Sequence, residues 1–146
     1  MTALVGTVTI PGKGGLVGVQ HTALLEYTLT GALVNADTIT WSNVIPNGGA
    51  TVVDVQLATP ELDTNATPTM LFEVGNSDDR DGYILSHGGA LTLSNSLADQ
   101  MSAIGTGALI GTKVTNRDIV LTVTAAVATG ATSGRILLKV LLQGTA

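Results

Sequence analysis

Residues 54–84 read DVQLATPELDTNATPTMLFEVGNSDDRDGYI, and this stretch decides the fold class. Apolar residues alternate with polar ones in two short segments, Val53-Val55-Leu57 and Met70-Phe72-Val74. A period of two residues is that of a β-strand with one buried face. A turn-rich link with two prolines separates the segments, and the acidic run at 75–82 follows them. The stretch therefore predicts two β-strands and a polar loop.

Strand patterns of the same kind recur along the chain. They predict strands at 19–30, 36–44, 51–58, 70–74, 83–85, 119–125 and 135–142. The Asn47-Gly48 step supplies the positive φ angles of tight turns and predicts a hairpin between the strands at 36–44 and 51–58. Residues 97–104 are predicted to form one or two helical turns. With about eight or nine short strands, we expect an all-β chain, an antiparallel β-sandwich that is jelly-roll-like and has little helix.

The length and composition favour one domain. A chain of 146 residues buries roughly 70% of its unfolded surface without disulfides or metal, and this chain has no cysteine. Residues 16–146 are assigned to a single β-sandwich domain. The first 15 residues have two interpretations, a first strand or an extended N-terminal arm, because PGKGG at 11–15 breaks regular structure.

The charge content limits the kinds of partner. The net charge is −5, and the six Lys and Arg residues are scattered, so no nucleic acid partner is expected. Charged residues make up only 12% of the chain, against about 25% in ordinary soluble domains. No apolar run of about 18 residues predicts a membrane span, and no secretory signal is recognisable. With a mean hydropathy of +0.42, the chain is expected to bury part of its surface against other subunits.

Several predicted strands are apolar on both faces. Leu71 lies beside Phe72, and Leu137 and Leu141 lie on the face opposite to Leu138. A sheet that also contacts another subunit requires this pattern, whereas a sheet facing water does not. The candidate interface residues are Leu4, Val5, Val8, Ile10, Val52, Leu71, Leu137 and Leu141.

The acidic run at 75–82 has two interpretations. Placing Gly82 at the glycine of a calcium loop puts Ser77 at the first ligand position and Gly88 at the last, where a glutamate is needed. The favoured interpretation is a structural corner in which Asn and Asp side chains cap local backbone N–H groups and Arg80 neutralises its neighbours. We therefore assign no metal ligand.

The sequence predicts no enzyme. The two histidines, His21 and His87, show no metal-ligand spacing, and no GxSxG nucleophile elbow is present. A Ser-His-Asp triad assembles in space and stays open as an alternative. No catalytic residue and no cofactor are assigned. The four aromatic residues are expected in the core rather than on a sugar-binding surface.

Several segments resemble small virion proteins of tailed bacteriophages, the capsid decoration (cement, or head auxiliary) proteins. They are PNGGATVVDVQL at 46–57, LDTN at 62–65, EVGNSDDRDGYI at 73–84 and AVATGATSGRI at 126–136, the last of which resembles the final hairpin of those proteins. The resemblance implies a non-enzymatic β-sandwich protein that binds the outer surface of the capsid and stabilises it. It implies the major capsid protein as partner, a homo-oligomer (a trimer), and a place on the outer surface of the virion after synthesis in the host cytoplasm.

Residues 1–15 would, under this hypothesis, add a strand to the open sheet edge of a neighbour. The matched residues are turn and strand residues, so the resemblance carries no active site over. The alternative function is a head- or tail-fibre module that binds a host receptor or glycan.

Overall fold

The computed structural model describes residues 2–9, 20–60, 62–67, 69–87, 100–105 and 107–144. Within these ranges the chain is all-β and contains no helix. The strands are β1 (Ala3–Val5), β2 (Thr7–Thr9), β3 (Gln20–Thr28), β4 (Thr38–Trp41), β5 (Ala50–Thr59), β6 (Leu71–Gly75), β7 (Ile84–His87), β8 (Gln100–Ile104), β9 (Lys113–Val114), β10 (Ile119–Ala125) and β11 (Arg135–Gly144).

The strands form two sheets that pack face to face. The first sheet has the order β1-β4-β10-β6-β7, and the second has the order β2-β3-β11-β5-β8, with β9 also paired to β5. If the short strands β1, β2 and β9 are left out, eight strands remain, and they can be numbered from 1 (β3) to 8 (β11) in chain order. The order across the first sheet is then 2-7-4-5, and the order across the second sheet is 1-8-3-6. This is the strand order of a jelly roll. The predicted all-β, jelly-roll-like sandwich is confirmed.

The core lies between the sheets and follows the two-residue alternation of the sequence. In β3, Ala23, Leu25 and Tyr27 are buried, and in β11 the buried residues are Ile136, Leu138, Val140 and Leu142. Full burial of one large apolar side chain contributes about 1.5–3 kcal/mol relative to exposure. The faces predicted for β3, β4 and β11 are therefore correct.

The predicted hairpins are wrong. β4 belongs to the first sheet and β5 to the second, so the Asn47-Gly48 turn carries the chain across the sandwich. The Gly49 N–H donates to the Pro46 carbonyl at 3.0 Å, and Gly48 and Gly49 have φ of 88° and 90°. The positive φ expected of the Asn47-Gly48 step is found at Gly48 but not at Asn47, with Gly49 as the second such residue, and it fixes only the local bend. The final segment likewise crosses from β10 in the first sheet to β11 in the second.

Two further expectations need correction. The register of β5 against β11 shifts between Leu141 and Leu142, so Val52, Val55 and Leu57 face the core and Val53 is only half-buried. Residues 100–104 are strand β8 rather than helix, because they pair antiparallel with β5. The remainder of the predicted helical segment, 97–99, lies outside the described residues.

The N-terminal residues 3–9, which we call the strap, are two strands rather than one. β1 pairs in parallel with β4 at the edge of the first sheet, and β2 pairs antiparallel with β3 at the edge of the second. Between them, the Gly6 N–H donates to the Thr40 carbonyl at 2.8 Å. A Cβ at Gly6 would overlap the buried Trp41 indole. The strap thus closes one side of the sandwich over Trp41.

Candidate interaction surfaces

The predicted interface residues separate into three groups. Val5 and Leu71 lie on the outer face of the first sheet and are 78% and 39% exposed. Leu137 and Leu141 lie half-buried on the outer face of the second sheet. Leu4 and Val8, which were predicted as interface residues, are half-buried and pack against the core of their own subunit, so they are removed from the candidate interface.

Val52 is removed from the candidate interface. Its side chain is completely buried, because the register shift in β5 turns it toward the core. Ile10 lies outside the described residues.

The two outer faces differ in charge. On the first sheet, strand pairing places Val5, Thr38, Thr40, Val120 and Thr122 side by side, and we call this surface the neutral face. Its strands carry one described charged residue, Glu73, which is buried and ion-paired with the largely exposed Arg80 of the adjoining loop. Leu71 and Leu85 extend the face, and Leu85 is 48% exposed.

The outer face of the second sheet is mixed in character. It carries Glu26, Asp54, Arg135 and Lys139 around its apolar residues. One Arg135 nitrogen lies 3.9 Å from a Glu26 oxygen. Because interface centres are depleted of charge, the neutral face fits a protein contact better than the mixed one.

The predicted polar loop is the hairpin between the paired strands β6 and β7. The Asn76 side-chain oxygen accepts from the Asp78 and Asp79 N–H groups at 2.9 and 3.0 Å. This is the capping expected of a structural corner. Arg80 reaches back to Glu73, so it neutralises a strand residue as well as lying among the loop acids.

The hairpin packs tightly on the segment at 105–112. The Gly107 N–H donates to the Tyr83 carbonyl, and the Leu109 N–H donates to the Gly82 carbonyl. A Cβ at Gly82 would collide with the Leu109 side chain, and one at Gly107 would collide with the Gly82 backbone. The glycines at these two positions are therefore packing requirements.

The carboxylates of Asp79 and Asp81 lie close together in this hairpin. A side-chain hydrogen bond from Asp81, together with desolvation and the Asp81 charge, raises the pKa of Asp79 above its ordinary value. Desolvation raises the pKa of Tyr83 to about 12, and the nearby Asn76 side chain partly opposes this shift. The Tyr83 hydroxyl is buried and makes no hydrogen bond of good geometry. Across the residues that the structure describes, no group of three or more His, Cys, Asp or Glu side chains could hold a metal.

Seven charged side chains gather at this end of the sandwich, which we call the charged end. They lie on the hairpin and on the segment at 113–118, and are Asp78, Asp79, Arg80, Asp81, Lys113, Arg117 and Asp118. Hydrogen bonds join the two parts, since the Asn116 amide donates to Ser77 Oγ at 2.6 Å and to Asp78 Oδ2 at 3.2 Å. The charged end is a solvated, internally bonded surface.

The opposite end is built around the buried carboxylate of Asp63. Its two oxygens accept five backbone N–H bonds, from Asn65, Thr69, Met70, Ala128 and Thr129, at 2.9–3.3 Å. Desolvation raises the pKa of Asp63, but the backbone hydrogen bonds outweigh it and hold the pKa well below its ordinary value. Asp63 thereby joins the segment at 62–70 to the segment at 126–131.

A second buried carboxylate, Asp37, acts in the same way on a smaller scale. Its oxygens accept from the Thr2 N–H at 2.8 Å and the Val34 N–H at 2.9 Å. Asp37 therefore ties Thr2, the residue directly before the strap, to the loop at 29–37. Sequence reasoning identified neither aspartate; the available signal was an Asp within a turn-rich link that is rich in Thr, Asn, Ala and Pro.

The histidines and aromatics do not form a recognisable site. His21 points inward near the start of β3, and its Nε2 is buried without a hydrogen-bond partner. His87 belongs to β7 and pairs with Phe72. All four aromatic residues of the chain, Tyr27, Trp41, Phe72 and Tyr83, are buried. The expectation that they are core residues is confirmed, and none is exposed for sugar stacking. In the portion described, no helix has the length and apolarity to cross a membrane.

Comparison with known proteins gives matches to solved structures. No protein-family model matches the chain, and no curated protein does. One structural match is to a chain of the cyanophage Pam1 capsid asymmetric unit, with a TM-score of 0.68 and 29% identity over 92% of this chain and 90% of that one. Another is to a chain of the capsid of Ralstonia phage GP4, with a TM-score of 0.69 and 21% identity over 92% and 91%.

At 21% identity the second match concerns the fold alone, whereas the first adds sequence similarity over nearly the whole chain. Both matched chains come from phage capsids, and in both cases the match runs almost end to end. The first comparison supports a phage capsid-related protein with a structural role in the virion, and the second agrees with it in fold.

Proposed function

We propose that the protein is a non-enzymatic decoration protein that binds the outer surface of a phage capsid and stabilises it. The observation that carries this proposal is the match to a chain of the cyanophage Pam1 capsid over nearly the full length of both chains. The matched chain is therefore of similar, small size. A single sandwich of this kind suits a component added to a shell of larger subunits, the major capsid protein being its partner.

The burial of the aromatic residues supports this function over the alternative of a glycan-binding fibre module. Sugar-binding surfaces use exposed aromatic rings, and all four rings of this chain are in the core. The polar groups at the charged end bond to one another and to backbone atoms rather than converging on a cavity. Adhesion through flat surfaces fits these features better than ligand capture or catalysis.

The neutral face supports association with further copies of the chain, for which we favour a trimer. Closed rings use two different patches on each subunit. If each subunit bound one neighbour through the outer face of its first sheet and another through the outer face of its second sheet, the subunits would form an open stack. Only one of the two outer faces can therefore take part in a closed ring. The neutral face is the better candidate because the one described charge on its strands, Glu73, is neutralised by Arg80 at the edge of the face.

The hypothesis of an N-terminal arm takes a more specific form. Residues 3–9 pair with β3 and β4 of the same chain, so deletion of this segment would uncover Trp41 and weaken the subunit itself. A truncation cannot separate folding from binding. Val5→Asp changes only the outward side of the strap, and we expect it to weaken the trimer while leaving the free energy of unfolding of the separate subunit nearly unchanged.

The experiment combines mass with binding. We expect light scattering to give three times the chain mass of 14.7 kDa. Purified protein should co-sediment saturably with phage heads that lack it and raise the temperature at which those heads disrupt. Antibody should then label it on intact particles. Failure to bind such heads, or labelling only after the particles are opened, would overturn the proposed function.

A further inference from the structure

The end of the sandwich opposite the charged end is also a distinct surface. It consists of the loops at 29–37, 62–70 and 125–134, which we call the neutral end, and hydrogen bonds join them. The Leu29 N–H donates to the Gly134 carbonyl at 2.9 Å, and the Thr64 N–H donates to the Thr129 carbonyl at 2.8 Å. A Cβ at Gly130 would collide with Ala32, so the first and third loops are in close contact. The three loops form one continuous surface.

None of the described exposed residues of the neutral end carries a charge. They are threonines, alanines, glycine, asparagine, serine and Val34, which is 50% exposed. The two described acids of these loops, Asp37 and Asp63, are buried and bonded to backbone N–H groups. Removing a charge from water is costly, and the centres of protein interfaces are accordingly depleted of charge. The neutral end can be covered without that cost, whereas the charged end cannot.

The neutral end is also held in one conformation before any partner arrives. The five N–H groups bonded to Asp63 come from two of the three loops. In addition, the Thr69 hydroxyl donates to the Ala126 carbonyl at 2.7 Å. Ordering a loop on binding subtracts from affinity, so loops fixed in advance favour a docking role.

The size of the surface identifies the kind of occupant. Four or five strands spaced about 4.8 Å apart make the end about 20 Å wide, and two sheets about 10 Å apart with their outer side chains make it about 20 Å thick. The resulting area is about 400 Å², roughly half of the ~800 Å² that each partner contributes to a standard stable interface. Such a contact cannot hold two single molecules together. It becomes durable when linked copies engage repeated identical sites.

We propose that the neutral end is the surface that docks onto the capsid shell, against an uncharged, apolar and hydroxyl-bearing patch repeated across the shell. The proposal rests on the proposed function and specifies which part of the molecule performs it. It places the charged end away from the shell, in solvent. The neutral face remains available for contact between copies.

The test compares the same substitution at the two ends. Val34→Lys and Ala66→Lys place a cation on the neutral end at exposed positions, and Asn47→Lys and Thr115→Lys do so on the charged end. Co-sedimentation with heads lacking the protein gives the affinity. We expect at least a tenfold loss for each neutral-end variant and less than a twofold change for each charged-end variant.

Hydrogen exchange on wild-type protein bound to heads provides a readout that does not depend on the folding of any variant. We expect amide protection to rise in segments 30–35 and 64–69 and to stay unchanged in 77–81. Equal affinity of all four variants, loss confined to the charged-end variants, or protection at 77–81 instead would overturn the proposal while leaving the decoration function intact. Failure of the wild type to bind heads would overturn both.

Discussion

Asp63→Asn is the substitution that most directly tests how the sandwich is held together. Asparagine keeps the shape of the side chain but replaces one carboxylate oxygen with an NH₂ group. Asp63 Oδ1 accepts two backbone N–H bonds and Oδ2 accepts three. Whichever way the amide turns, at least two backbone N–H groups lose their acceptor.

The magnitude follows from those lost bonds. A hydrogen bond to a charged group contributes about 1.5–3 kcal/mol. Two of them give an expected loss of about 3–6 kcal/mol at pH 7. Domains of ordinary stability unfold with about 5–15 kcal/mol, so the variant should be close to marginal.

Urea denaturation followed by the fluorescence of Trp41, the only tryptophan, measures this loss. Asp54→Asn is the matched control, because the bonds of that carboxylate to described residues are local, to the Val55 N–H and the Gln56 amide of its own strand. We expect the control to change the free energy of unfolding by less than about 1 kcal/mol.

The pH dependence gives a second, independent check. The folded-state pKa of Asp63 is depressed, so its stabilisation is fully present above the unfolded-state pKa of about 3.9 and declines as the pH falls below that value. The difference between wild type and Asp63→Asn should therefore be largest near pH 7 and smaller at pH 3. A difference below about 1 kcal/mol at pH 7, or one equal at both pH values, would refute the reasoning.

Two other substitutions test the strap and the ion pair between the exposed Arg80 and the buried Glu73. Gly6→Ala should displace the Trp41 indole, lower the free energy of unfolding by about 1–3 kcal/mol through overpacking and shift the tryptophan emission to longer wavelength. Gly31→Ala is the control: its Cβ would meet no atom within 4 Å, so it should leave the spectrum unchanged. Arg80→Met should lower the free energy of unfolding by about 1–3 kcal/mol because it leaves the buried Glu73 carboxylate without its cation. Adding Glu73→Gln should restore most of that loss. The absence of any restoration in the double variant would show that the pair is unimportant.

The sequence was informative wherever burial follows local periodicity. The alternation in β3 and β11 correctly separated core residues such as Leu25 and Leu138 from outward residues such as Leu137, because one residue in two faces the other sheet. The acidic run was correctly interpreted as a capped corner, since the Asn76 side chain bonds to N–H groups two and three residues ahead. In both cases the interacting residues are only a few positions apart along the chain.

The errors arise from interactions that are distant along the chain. The Asn47-Gly48 turn fixes backbone angles but does not determine which sheet the next strand joins, and in a jelly roll that strand joins the opposite sheet. Val52 was placed outside because a bulge against β11, formed by residues about 90 positions later, is invisible in its own segment. Asp63 was missed for the same reason, since Ala128 lies 65 residues further along the chain.

The low charge content of the chain does not show where an interface lies. The distribution of the charged residues over the surface does show this. A protein that needed only solubility would gain from charges of both signs spread over its whole surface. Here the described charges concentrate at the charged end and on the second sheet, and the neutral face and neutral end are nearly without them. Such a surface lowers colloidal stability unless something covers it. Val34→Lys should consequently raise the solubility of the isolated protein while it weakens docking to heads. Damage to the fold would lower both, so opposite changes in the two measurements distinguish a binding surface from a structural one.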